Sequence, residues 1–106
     1  MVDIEQYRRL NYDENIAVTN HARMRFAERE IALDDIEKAI ETGQIIEEYP
    51  GDKPFPSCLI SAHIAEDKVL HLVVSSDDEF LYIITAYWPD PEKWTDDFTK
   101  RKGNDI

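Results

Sequence analysis

The densest group of chemically capable side chains is His21-Ala22-Arg23-Met24-Arg25-Phe26-Ala27-Glu28-Arg29. On a helix, at about 100° per residue, His21, Arg25, Glu28 and Arg29 fall within one polar face. An imidazole beside guanidiniums could move a proton next to a phosphate. Histidine titrates near neutral pH, and arginine grips phosphate through two parallel N–H donors. The same spacing also describes an ordinary salt-bridged helix surface. His71 stands in the apolar run Val69-Leu70-His71-Leu72-Val73-Val74. There it is either a base in a cleft or a core histidine tied to a hydrogen-bond partner. Thr85 and Tyr87 share one side of a strand, so a hydroxyl and a phenol line one surface. Both are also good strand formers. His63, beside a turn, reads as exposed and incidental.

Other chemistries find less support. The chain has three histidines but no HxH, HxxxH or HExxH spacing, so no metal site is expected. Three glycines leave no phosphate-cradling loop, and no nucleophile elbow or Cys–His pattern occurs. No cofactor is expected. The single cysteine excludes an internal disulfide framework. Cys58 lies in a strand pattern and reads as a buried structural thiol.

These residues need a scaffold, and 106 residues supply one domain with a small core. Apolar residues at 42% and charged residues at 33% mark a globular chain. No apolar run reaches a membrane span, and MVDIEQYRRL lacks a signal-peptide core, so a soluble, cytoplasmic protein is expected. The net charge of −11 argues against free-standing, nonspecific nucleic-acid binding. Five of the six arginines nevertheless lie between Arg8 and Arg29, so a local basic face can exist on an acidic body.

The first half reads as helices over Asp3–Leu10, His21–Arg29 and Leu33–Thr42. Thr19 or Asn20 caps the second, and Gly43 stops the third in a C′ position. The second half reads as strands Gln44–Tyr49, Cys58–Ile64, Val69–Ser75 and Leu81–Tyr87. Short turns between the last three predict an antiparallel meander. Residues 92–100 read as a last helical turn with Trp94 and Phe98 four apart, and Lys100 onward as a frayed, flexible tail. The fold class is therefore α+β, with N-terminal helices packed on a four-stranded antiparallel meander. A two-residue turn at Glu66-Asp67 pairs Ala62 with His71 and His63 with Leu70. A turn at Asp77-Asp78 places Ile84 beside His71 and Thr85 beside Leu70. In that register His63 and His71 point to opposite sides, and His71 and Tyr87 do too.

The run from Val18 to Ile31 resembles the opening of the bacterial family called domain of unknown function 4258, "I-T-x-H-A-x-x-R-x-x-E-R-G-I". The resemblance continues through Asp35–Ile40, Gly43–Pro50, Pro56–Ile60, Leu70–Val74 and Ile84–Trp94, and so covers a core of residues 18–94. That family in turn looks like a distant relative of the barnase–colicin–RelE group of RNA-cleaving toxins. The resemblance implies a RelE-like fold and metal-independent endoribonuclease activity. RNA or the ribosome would be the partner, with an antitoxin-like protein as a second. By residue it implies His71 or His21 as base or acid, Arg25 and Arg29 as phosphate clamps, and Thr85 and Tyr87 as last-strand site residues. Tyr87 would be a proton or orientation partner.

Two positions depart from the family pattern. Glu30 replaces a glycine after the second helix, and Ala32 replaces the serine before the third. Each removes about 1 kcal/mol of capping preference. A noncatalytic binding or regulatory module with a degenerate site is the alternative. The two readings separate on geometry. A catalytic site brings His21, Arg25 and His71 or Tyr87 into one open cleft. A binding module leaves a histidine buried and satisfied.

Overall fold

Residues 3–102 are described in the computed structural model of the chain. Asp3 caps α1 (Ile4–Arg9) by accepting from the Glu5 N–H, and Tyr7 and Leu10 turn inward from it. A short 3-10 turn, Asp13–Asn15, leads into β1 (Ile16–Val18). The Thr19 hydroxyl then caps α2 (Asn20–Glu28) by accepting from the Ala22 N–H at 3.1 Å. α3 (Leu33–Thr42) buries Ile36, Ala39 and Ile40 on one side, as its helical spacing dictates.

The α2–α3 junction carries the two departures from the family pattern. The Ile31 N–H bonds to the Phe26 carbonyl at 2.8 Å, and the Glu30 N–H to the Ala27 carbonyl at 3.2 Å. This pair is a Schellman motif, and it puts Glu30 in the left-handed region at φ 56°. Ala32 offers no capping oxygen, but the Asp35 carboxylate accepts from the Ala32 N–H, which is half of a capping box. Gly43 behaves differently from the expectation. Its φ of −83° is open to any residue. Glycine is needed there for space, because a Cβ would lie 2.5 Å from the Ala39 carbonyl oxygen and 2.6 Å from Ile60 Cγ2.

The strands β2 (Gln44–Tyr49), β3 (Ser57–Ala65), β4 (Lys68–Ser76) and β5 (Leu81–Tyr87) form the expected antiparallel series. The sheet is nevertheless five-stranded and mixed, in the order β1-β5-β4-β3-β2, because β1 adds in parallel to β5. Three residues are too short a run to show a strand period, which is why β1 escaped the sequence reading.

The register also differs. The Glu66-Asp67 turn places Ala65 opposite Lys68 as expected, but a bulge before Ala65 pairs Ser61 with His71. The β4–β5 turn spans Asp77 to Phe80, closed by the Asp77 carboxylate on the Glu79 and Phe80 N–H groups. With a second bulge between Val73 and Val74, His71 pairs with Tyr87, and Val73 with Thr85. His71 and Tyr87 therefore share one face, and His63, two residues from Ser61, shares it too. Ile84, expected beside His71, is exposed instead.

The other face meets the helices. Cys58, Ile60, Ala62, Leu70, Leu72, Val74, Ile83 and Ala86 form one cluster with Tyr7, Ala22, Phe26, Ile36 and Ile40. Leu70, Leu72 and Val74 are fully buried, each stabilising by about 1.5–3 kcal/mol. Burial pushes the Cys58 thiol up to about 11, as befits a structural cysteine.

Beyond β5 no helical turn forms over residues 92–100. Trp94 bridges to Arg101, with the Thr95 N–H on the Lys100 carbonyl and the Lys102 N–H on the Lys93 carbonyl. This closed loop lies on the face opposite the helices, so Lys100–Lys102 are structural rather than frayed. The rest of the expected tail, residues 103–106, lies outside the described residues. Among the described residues, no helix is long and apolar enough to cross a membrane.

Candidate functional site

The face opposite the helices is unusually polar for a sheet centre. Pairing lays out three rungs across it. Ser61, His71 and Tyr87 form one, Glu47, Leu59, Val73 and Thr85 the next, and Tyr49, Ser57, Ser75 and Tyr82 the third. Ser57, Ser61, His71 and Ser75 are all buried.

The C-terminal loop closes the first rung. His71 is 0% exposed. Its Nε2 lies 2.8 Å from the Phe98 carbonyl, and its Nδ1 lies 3.2 Å from the Tyr87 hydroxyl. A carbonyl only accepts, so Nε2 carries the proton and Nδ1 receives the tyrosine O–H. Trp94, itself buried, meets the imidazole edge-on with ring centroids 4.5 Å apart. Burial holds the His71 pKa below its ordinary value, so the ring is neutral at physiological pH. Burial also raises the Tyr87 pKa, the opposite of what an activated phenolate requires.

Beside this pair lies a charged group that sequence reasoning missed. Arg101 donates twice to Glu47, at 2.9 and 3.1 Å, and its guanidinium sits 4.7 Å from the Trp94 ring centroid. The Tyr49 hydroxyl donates to the same carboxylate at 2.6 Å. Arg101 is the main cause of the lowered Glu47 pKa. Burial, then Glu47, pushes the Tyr49 phenol up to about 12. The available signals were the Glu47/Tyr49 alternation in β2 and two aromatics, Trp94 and Phe98, in a segment read as a last helical turn, with Arg101 in the expected tail.

The other expected site residues do not join His71. His21 and Arg25 are exposed on α2, whose Ala22 and Phe26 pack into the helix-side core. The sheet therefore separates them from His71 and Tyr87. Arg25 makes a weak surface pair with Glu28 at 3.5 Å. Arg29 is a strut. Its guanidinium donates to the Ala86 carbonyl at 2.7 Å, while its own carbonyl accepts from the Trp88 indole at 2.6 Å. Thr85 is half-buried, on the same face as Tyr87, and His63 is exposed. Among the described residues no three His, Cys, Asp or Glu side chains are grouped to hold a metal ion.

Where the loop ends, the third rung stays open. A cleft of about 490 Å³ lies between the 50–56 loop and β5, lined by Asp52, Lys53, Phe55, Ser75, Tyr82 and Ile84. Phe55 and Tyr82 stack with centroids 5.9 Å apart and planes within 7°. Chemically, the closed end offers a histidine with both nitrogens committed and an arginine already neutralised. The open end offers surface for binding.

Compared with protein-family models, residues 18–88 match the domain of unknown function (DUF4258). The match ends at Trp88, short of the loop that covers His71. No curated protein and no solved structure matches the chain.

Proposed function

We propose that this chain, which belongs to the DUF4258 family, is a noncatalytic binding or regulatory module working through the open part of its polar sheet face. The observation that carries the reading is the state of His71. The ring is fully buried, neutral, and hydrogen-bonded at both nitrogens. A general base needs a free lone pair within reach of substrate, and a phosphate clamp needs an uncommitted cation. His71 lacks the first. Arg101, paired with Glu47, lacks the second, and His21, Arg25 and Arg29 belong to α2 and its C-cap on the other side of the sheet.

The test is cleavage of a labelled RNA pool in EDTA, with and without ribosomes. Wild type and a His71→Gln/Tyr87→Phe double variant are expected to leave RNA equally intact. Cleavage by wild type that the double variant loses would overturn the reading. It would support the second one, a RelE-like metal-independent endoribonuclease neutralised by an antitoxin-like partner. One observation favours that second reading: the Tyr87 hydroxyl on His71 Nδ1 with the Glu47–Arg101 pair alongside.

A further inference from the structure

The open cleft combines features that together select a ligand chemistry. Its floor is aromatic: Phe55 stacks on Tyr82, and Phe80, 40% exposed, lies 6.4 Å from Tyr82. Its rim is acidic. Asp52 lines it and accepts the Ser57 hydroxyl, and just outside the lining Asp77 accepts the Tyr82 hydroxyl at 2.6 Å. Asp78 and Glu79 follow in the same turn, against Lys53 as the cation lining the cleft. Hydrogen bonds from Tyr82 and two backbone N–H groups lower the Asp77 pKa, so that carboxylate is charged at neutral pH. Ser75 is only 6% exposed, lines the cleft, and makes no side-chain hydrogen bond among the described residues. Its hydroxyl is therefore free to meet a ligand that enters the cleft.

A phosphate-bearing ligand would face these carboxylates on a chain of net charge −11. A planar cation suits the aromatic floor and the nearby carboxylates instead. A guanidinium stacks on an aromatic face, is attracted by its π-electrons, and donates N–H groups to carboxylate and hydroxyl oxygens. An ammonium matches the charge but has no planar face to lay on the rings. The acidic surface around the cleft would steer a basic partner toward it.

We propose that the cleft between the 50–56 loop and β5 receives the guanidinium of an arginine carried by a basic protein partner. This rests on reading the chain as a binding module and gives that module its ligand class.

The test is an NMR titration of the 15N-labelled full chain with three probes. These are a capped Gly-Arg-Gly-Arg-Gly peptide, its lysine counterpart, and uridine 5′-monophosphate. The arginine peptide is expected to shift the amides of Phe55, Ser75, Tyr82 and Ile84 saturably. It should bind at least about fivefold more tightly than the lysine peptide. Phe55→Leu and Ser75→Ala should each weaken it by about fivefold, with the remaining amide spectrum showing an intact fold. No saturable shift overturns the proposal, as does equal binding of both peptides. Shifts spread over the whole acidic surface also overturn it. Uridine monophosphate occupying the same amides in preference to the arginine peptide would assign the cleft to nucleotides instead. None of these results bears on RNA cleavage, so this proposal and the noncatalytic reading can fail separately.

Discussion

Replacing Gly43 by alanine tests whether helix and sheet are held as closely as described. At φ −83° an alanine backbone is unstrained, so a conformational explanation of this glycine predicts no harm. The packing explanation predicts the reverse. The new Cβ would stand 2.5 Å from the Ala39 carbonyl oxygen, 2.6 Å from Ile60 Cγ2 and 3.0 Å from Ala62 Cβ. The Ala39 carbonyl is fixed, because it accepts the Gly43 N–H at 2.8 Å, and Ile60 is fully buried. Overpacking of this kind costs about 1–3 kcal/mol, and a backbone obstacle places the loss near the upper end. For a domain of this size that lowers Tm by roughly 10–20 °C. Gly51 is the internal control. A Cβ there meets nothing within 4 Å, so Gly51→Ala should stabilise by about 0.4–1 kcal/mol through the unfolded chain. Urea unfolding followed by tryptophan fluorescence measures both. A Gly43→Ala midpoint within about 0.5 kcal/mol of wild type, or an equal loss in Gly51→Ala, would refute the reasoning.

Two further outcomes follow from particular side chains. Glu30→Gly relieves a left-handed residue in the Schellman motif and should raise stability by about 1 kcal/mol, read as a Tm rise of roughly 4–8 °C. Stability should fall as pH drops below about 6.5, the ordinary histidine value. The unfolded chain there takes up a proton that buried His71, its pKa lowered, refuses. The loss continues until the folded pKa is reached, and urea midpoints at pH 7.5 and 5.5 should differ less in His71→Gln than in wild type.

Local chemistry made the helices and four of the strands legible. Thr19 capped where a threonine should, and Leu33, Ile36, Ala39 and Ile40 kept a helical period to the last turn. What local patterns could not carry was register. Two bulges, before Ala65 and between Val73 and Val74, together with a four-residue β4–β5 turn move His71 opposite Ser61 and Tyr87, and neither bulge has a glycine to announce it. The candidate site was half legible for the same reason. His71 and Tyr87 stand out by residue type. Their partners Glu47, Trp94 and Arg101 arrive from the two ends of the sheet-forming half, and no spacing in the chain reports that meeting. Arg25 and His21 were grouped correctly on one helix face, but that face belongs to the other layer.

The parallel pairing of β1 with β5 has a consequence for how the chain comes to be folded during synthesis. Residues 16–18 leave the ribosome well before residues 81–83, their only strand partner among the described residues. The β3–β4 hairpin, closed by a two-residue turn, can form while that partner is still being made. β1 must wait, with its edge unpaired, for the chain to come back to it. The pairing closes the longest loop in the sheet, so it costs least once local structure has ordered the intervening residues.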